Sequence, residues 1–134
     1  MQRVILKSKI HRATVTRADL DYEGSCGIGL ELLRAADIVV GEQVHVVNIT
    51  NGSRAVTYAI EGRPGEVSLN GAMARVGDAG DMVIITAYAT ADDTELSGFM
   101  PRIVHVDADN RISDEHSTKS GDLLGAPTAK AAVN

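Results

Sequence analysis

Gln43-Val44-His45-Val46-Val47-Asn48-Ile49-Thr50-Asn51-Gly52-Ser53-Arg54-Ala55-Val56-Thr57-Tyr58-Ala59-Ile60 reads as a strand, a turn and a returning strand. Val44, Val46 and Val47 give the first arm, Gln43 to Ile49, its β-branched character, and Arg54 to Ile60 forms the return. Asn51-Gly52 is a two-residue hairpin signal, since both residue types tolerate positive φ. Outward from this hairpin the chain stays mainly β. Val4 to Thr16 is a long first strand, Val67 to Leu69 a short one ended by Asn70-Gly71, Met82 to Thr90 the most apolar, and Arg102 to Asp107 the last. Leu30 to Ile38 has Leu30, Leu33 and Ile38 at helical spacing and predicts a short helix. Gly41-Glu42-Gln43-Val44 is echoed by Gly80-Asp81-Met82-Val83. A Gly-acid turn feeding a buried strand in each half suits a barrel with pseudo-two-fold symmetry.

At 134 residues the chain is one domain with a small core. Hydrophobic residues make up 44 % but aromatics only 3 %, with no Trp, so Val, Ile, Leu and Ala must build that core. A formal charge of −5 and scattered Lys and Arg argue against a nucleic-acid partner. The single cysteine, Cys26, excludes an intrachain disulfide and any Cys-based metal site, and no metal is expected. The N-terminus lacks a secretory signal, and no stretch approaches the ~18 apolar residues of a membrane span. A cytoplasmic protein without membrane contact is expected, so the sequons at Asn48 and Asn51 carry no meaning. From Ser113 onward Ser, Thr, Lys, Gly, Ala and Pro dominate, which predicts a folded unit over 1–112 and a mobile tail over 113–134.

Tyr22-Glu23-Gly24-Ser25-Cys26 places a Gly-Ser bond in a short polar segment. Gly24 lacks a Cβ, so a neighbouring hydroxyl can approach its carbonyl. That suits attack by Ser25 Oγ on the Gly24 carbonyl, formation of an ester, elimination, and a pyruvoyl group at residue 25. Gly-Ser is a very common dipeptide, and by itself a flexible loop is its ordinary reading. Lys9 and His11 lie two apart on a strand, on one face and roughly 6 to 7 Å apart, as an anion site of two potentially cationic groups or a solvated strand edge. Arg54 suits planar carboxylate binding, and Tyr58 lies four residues on, nominally on the same face. Each also fits an ordinary surface or half-buried position.

The ordered set Lys9-Ile10-His11-Arg12, Ala18-Asp19-Leu20, Tyr22-Glu23-Gly24-Ser25, Thr50-Asn51-Gly52, Arg54, Thr57-Tyr58-Ala59-Ile60 and Asn70-Gly71-Ala72 resembles the pyruvoyl-dependent aspartate 1-decarboxylase family from Met1 to about Val106. The resemblance implies a double-ψ β-barrel with short helices, cleaved after Gly24 into a β chain 1–24 and an α chain from 25. It implies decarboxylation of L-aspartate to β-alanine and CO2 through a Schiff base, feeding pantothenate and coenzyme A synthesis. Ser25 becomes the pyruvoyl group, Tyr58 is the proton donor, and Thr57 assists cleavage and contacts substrate. Lys9, His11, Arg54, Asn70, Gly71, Ala72 and, at the position after them, Met73 line the substrate site. A homo-tetramer with sites at subunit interfaces is implied, with room for a maturation factor as a further partner.

Gly27, Gly29 and Met73 depart from the family pattern and bear on cleavage rate and substrate fit. They keep open an inactive double-ψ barrel acting as a binding or adaptor module. A Cys26 thiol working with His11, His45 or His105 is a further alternative.

Overall fold

The computed structural model describes residues 1–117. Its elements are β1 (Gln2–Thr14), β2 (Arg17–Asp19), β3 (Ser25–Gly29), α1 (Leu30–Ala36), β4 (Gln43–Asn48), β5 (Arg54–Gly62), β6 (Val67–Asn70), a 3-10 turn (Gly71–Arg75), β7 (Met82–Asp92), α2 (Asp93–Leu96), β8 (Arg102–Val106) and β9 (Ile112–Ser117). The strands hydrogen-bond in the order β2-β6-β3-β5-β4-β7-β1-β8-β9. The fold is mainly β, as expected, with two short helices among the described residues.

The β4–β5 hairpin forms, but Asn51-Gly52 does not make a two-residue turn. Val47 pairs with Arg54, and the Asn48 N–H still reaches the Ser53 carbonyl at 2.8 Å. The buried Asn48 side chain organises the longer loop by accepting from the N–H groups of Thr50 and Asn51, at 2.8 and 3.1 Å. Only Gly52 takes positive φ, at 80°. Three strands were not expected, β3, β9 and the short β2, which pairs parallel with β6. β3 occupies the segment read as polar loop, and all five of its residues are buried. β9 pairs antiparallel with β8 through Ser117, so the folded part passes the boundary placed at 112. The rest of the expected tail, 118–134, lies outside the described residues.

The core is aliphatic. Ile10, Ile28, Leu32, Leu69, Val44, Val46, Val83, Ile85 and Val104 are fully buried, each such side chain contributing about 1.5–3 kcal/mol. In α1 the inward side chains are Leu32, Leu33, Ala35 and Ala36, and Asp37 closes the helix in the left-handed region at φ 57°.

The Gly-acid echo is a repeated structure. Gly41 and Gly80 take φ 90° and 95°. The Gly41 N–H donates to the Ala59 carbonyl at 2.8 Å, and the Ala59 N–H to the Glu42 carbonyl at 3.0 Å. Likewise the Gly80 N–H donates to the Val15 carbonyl, and the Val15 N–H to the Asp81 carbonyl, both at 2.8 Å. Even the acids correspond, Glu42 accepting from the Val39 N–H at 3.1 Å and Asp81 from the Asp78 N–H at 3.0 Å. Among the described residues no helix is long and apolar enough to cross a membrane.

Candidate active site

Ser25 opens β3 and is 1 % exposed. Parallel pairing of β3 with β5 sets Cys26 opposite Ala59, which aligns Ser25 with the Thr57-Tyr58 end of β5. Antiparallel pairing with β6 sets Ser25 opposite Asn70, and Asn70 Nδ2 donates to Ser25 Oγ at 3.2 Å. Ser25 has φ 155°, a conformation that L-residues avoid. Such positions store about 1–3 kcal/mol, and here the strain sits beside the Gly24-Ser25 peptide. The glycine this geometry requires is Gly71 rather than Gly24. A Cβ on Gly24 would meet nothing closer than 3.9 Å, whereas a Cβ on Gly71 (φ +63°) would lie 2.7 Å from both N and Cα of Gly24.

The other expected residues divide. Tyr58 is 43 % exposed and Thr57 half-buried, as alternation on β5 requires. Among the described residues no hydrogen bond joins the Thr57 hydroxyl to Gly24. Arg54 shares the Tyr58 face but stands roughly 13 Å away along the strand. Lys9 and His11 do share a face of β1, with Lys9 opposite Thr86. However, β4 and β7 lie between β1 and β5 in the strand order. Direct contacts join Gly24, Ser25, Asn70 and Gly71, strand register brings Tyr58 alongside Ser25, and no hydrogen bond or ion pair among the described residues ties Lys9, His11 or Arg54 to them. Ala72 is exposed, and Met73, 6 % exposed, fills core volume.

Of the two potentially cationic groups, His11 is uncharged. Burial, then the charges of Lys9, His105 and Arg12, lowers its pKa from 6.5 to about 4, so the ring is neutral at pH 7. Its edge packs on His105 with centroids 5.2 Å apart, and its Nδ1 is buried without a partner. The thiol alternative fails on the same physics. Cys26 is fully buried, and burial, then Glu66, pushes its pKa up to about 12. A thiolate nucleophile is not available there.

Sequence reasoning missed Glu66 and Ser68. The Ser68 hydroxyl donates to Glu66 Oε2 at 2.7 Å, and Asn70 Nδ2 donates to Ser68 Oγ at 3.3 Å. Burial raises the Glu66 pKa, but the bonds from Ser68 and the Arg63 N–H, with the charges of Arg17 and Arg63, outweigh it and hold the carboxyl below its usual value. Arg17 reaches Glu66 Oε2 at 3.5 Å and lies over the Tyr22 ring. An open cleft of about 880 Å³ borders this corner, lined by Arg17, Tyr22, Arg63 and Glu66 among others. The available signal was Gly27, whose missing Cβ would stand 2.3 Å from Ser68 Oγ and 3.0 Å from Glu66 Oε2.

Comparison with known proteins gives one consistent result. Residues 1–113 match the family described as aspartate decarboxylase. The chain is similar to aspartate 1-decarboxylase of Mycolicibacterium smegmatis, 57 % identical over 128 residues, covering 94 % of each chain. It is 55 % identical over 115 residues to aspartate 1-decarboxylase of Herminiimonas arsenicoxydans, covering 84 % of this chain and 97 % of that one. The protein of the same name from Myxococcus xanthus is 53 % identical over 114 residues, covering 84 % of this chain and 88 % of that one.

Proposed function

The chain belongs to the aspartate decarboxylase family, and on that premise we propose that it is a self-processing lyase that converts L-aspartate to β-alanine and CO2. The product feeds pantothenate and coenzyme A synthesis, in the cytoplasm. The observation that carries this reading is Ser25 itself, held at φ 155° with its Oγ on Asn70 Nδ2. The residues present fit a pyruvoyl group made from Ser25. Gly71 allows Gly24 close approach, and the strained Ser25 backbone favours a change of covalent structure.

Ser25 Oγ attacks the Gly24 carbonyl carbon, the Gly24-Ser25 C–N bond breaks, and the nitrogen takes a proton. Loss of the Cα proton then expels Oγ with the Gly24 carboxylate, leaving the chain 1–24 and a dehydroalanine at 25. Water replaces nitrogen at Cα, and ammonia leaves. Thr57 is the expected donor to the Gly24 oxyanion. When formed, the pyruvoyl group supplies an electron sink for the pair left by departing CO2.

The chain's own residues do the rest. Arg54 and Lys9 hold the retained side-chain carboxylate, because gripping the departing one would stabilise the ground state. Tyr58 holds the proton delivered to the carbon that lost CO2. Asn70, Gly71 and Ala72 border the substrate.

The proposal includes a homo-tetramer with composite sites. Supporting it, Val4, Val56, Tyr58 and Tyr88 are exposed apolar or aromatic surface, and Lys9, His11 and Arg54 make no hydrogen bond or ion pair with Ser25 among the described residues. Support for the double-ψ β-barrel comes from the repeated Gly-acid turns. It comes also from the N-terminal segment, whose β1 pairs with β7 and whose continuation β2 pairs with β6 at the opposite end of the strand order. Ser25→Ala tests the proposal. It should leave one uncleaved, folded chain that makes no β-alanine; two fragments from this variant would sink self-processing.

A further inference from the structure

The hydrogen bonds around Ser25 have a direction, and a carboxylate sets it. Glu66 is ionised and only accepts, so the Ser68 proton is committed to Glu66 Oε2 at 2.7 Å. Ser68 Oγ then has only lone pairs to offer Asn70. This selects the amide orientation in which Nδ2 faces both Ser68 Oγ, at 3.3 Å, and Ser25 Oγ, at 3.2 Å, while Oδ1 is buried without a partner. Were the Ser68 proton free, it could bond Oδ1, and the amide could turn an acceptor instead of a donor toward Ser25. Ser68 and Asn70 are both fully buried, so water does not offer them a substitute.

We propose that Glu66 and Ser68 are positioning residues for self-cleavage, holding the Asn70 N–H on Ser25 Oγ. The inference rests on the self-processing reading. Oγ gains negative charge as it leaves Cβ with the Gly24 carboxylate, and a fixed N–H donor lowers the barrier of that step. In the earlier attack the charge grows on the Gly24 carbonyl oxygen, and the bond from Nδ2 serves to hold Oγ in place. Gly27 belongs to the same device, since any Cβ there would displace Ser68 Oγ and Glu66 Oε2. Arg17, clasped by Tyr22, steadies the carboxylate from the segment that leads into Gly24.

The test is the rate of chain cleavage, followed by intact-mass spectrometry from the moment of cell-free synthesis. Four chains are compared: the parent, Glu66→Gln, Asn70→Ala and the double variant. Glutamine keeps the shape but can donate as well as accept. Glu66→Gln should cleave about tenfold more slowly, the loss ordinary for one charge-assisted hydrogen bond. In the Asn70→Ala background the same change should have no further effect, because Glu66 acts only through Asn70.

Ser68→Ala gives a second arm should Glu66→Gln misfold, and is expected to slow cleavage similarly at unchanged Tm. Equal rates for the parent and both single relay variants, or additive losses in the double variant, would overturn the proposal alone. A parent that never cleaves would overturn the self-processing reading and this inference with it.

Discussion

Gly71→Ala isolates what the close approach of Gly71 to Gly24 is worth. The new Cβ has two costs. Alanine at φ +63° is in the left-handed region, a penalty of about 1–2 kcal/mol. It also lies 2.7 Å from backbone N and Cα of Gly24, where ordinary contact begins at 3.4 Å, so Gly24 must retreat by about 0.7 Å. Reacting groups moved on that scale lose on the order of 10²-fold in rate. Gly80→Ala is the control. Its φ is +95°, but nothing lies within 4 Å of the added Cβ, so it carries strain without collision. Gly80→Ala should melt roughly 4–8 °C below the parent, at about 4 °C per kcal/mol for a chain of this size, and Gly71→Ala lower still because the collision adds to the strain. Only Gly71→Ala should slow cleavage, by about 100-fold, in a mass-spectrometric time course. Gly71→Ala cleaving within about twofold of Gly80→Ala would refute the claim that this contact places the scissile carbonyl.

Three other outcomes follow from the site. Tyr58→Phe should cleave normally, because no maturation step uses a phenol, yet lose about 10²- to 10⁴-fold in kcat for β-alanine; near-normal turnover would remove Tyr58 as proton donor. Arg54→Lys should keep the charge but lose the planar fork, lowering kcat/KM by about 1–3 kcal/mol, chiefly through KM; an unchanged KM would leave Arg54 a surface charge. His11 should make stability depend on pH: its folded pKa, about 4, lies below 6.5, so the unfolded chain binds the proton first and stability is lost as pH falls between them. The Tm should therefore decline from pH 6.5 toward 4.5 less steeply in His11→Asn than in the parent, and parallel profiles would contradict the lowered pKa.

The parts legible in the sequence were those with a local cause. The β4–β5 arms and β7 declare themselves by β-branched runs, and the Gly-acid echo marks two turns that prove to share their hydrogen bonds. β3 escaped because Ser25-Cys26-Gly27-Ile28-Gly29 is buried throughout and shows neither alternation nor high β-propensity. β9 escaped because Ile112-Ser113-Asp114-Glu115-His116-Ser117 is polar and is a strand only by pairing with β8. Helix and hairpin positions follow from neighbours in sequence, whereas the site depends on Ser25 meeting Asn70 across a register set by two strands. Motif order brought both residues forward without supplying the contact. Glu66 and Ser68 belong to no motif, and only the space at Gly27 pointed toward them.

Intact-mass spectrometry of the purified parent chain tests the central claim most directly. Self-processing at Gly24-Ser25 gives two fragments, residues 1–24 and a longer chain beginning at 25. Their masses sum to the uncleaved chain plus one water less one ammonia, and the second fragment carries a ketone that borohydride reduces in the presence of L-aspartate. A single uncleaved chain after prolonged incubation, or two fragments that sum to the chain plus a whole water, as proteolysis produces, would contradict the account.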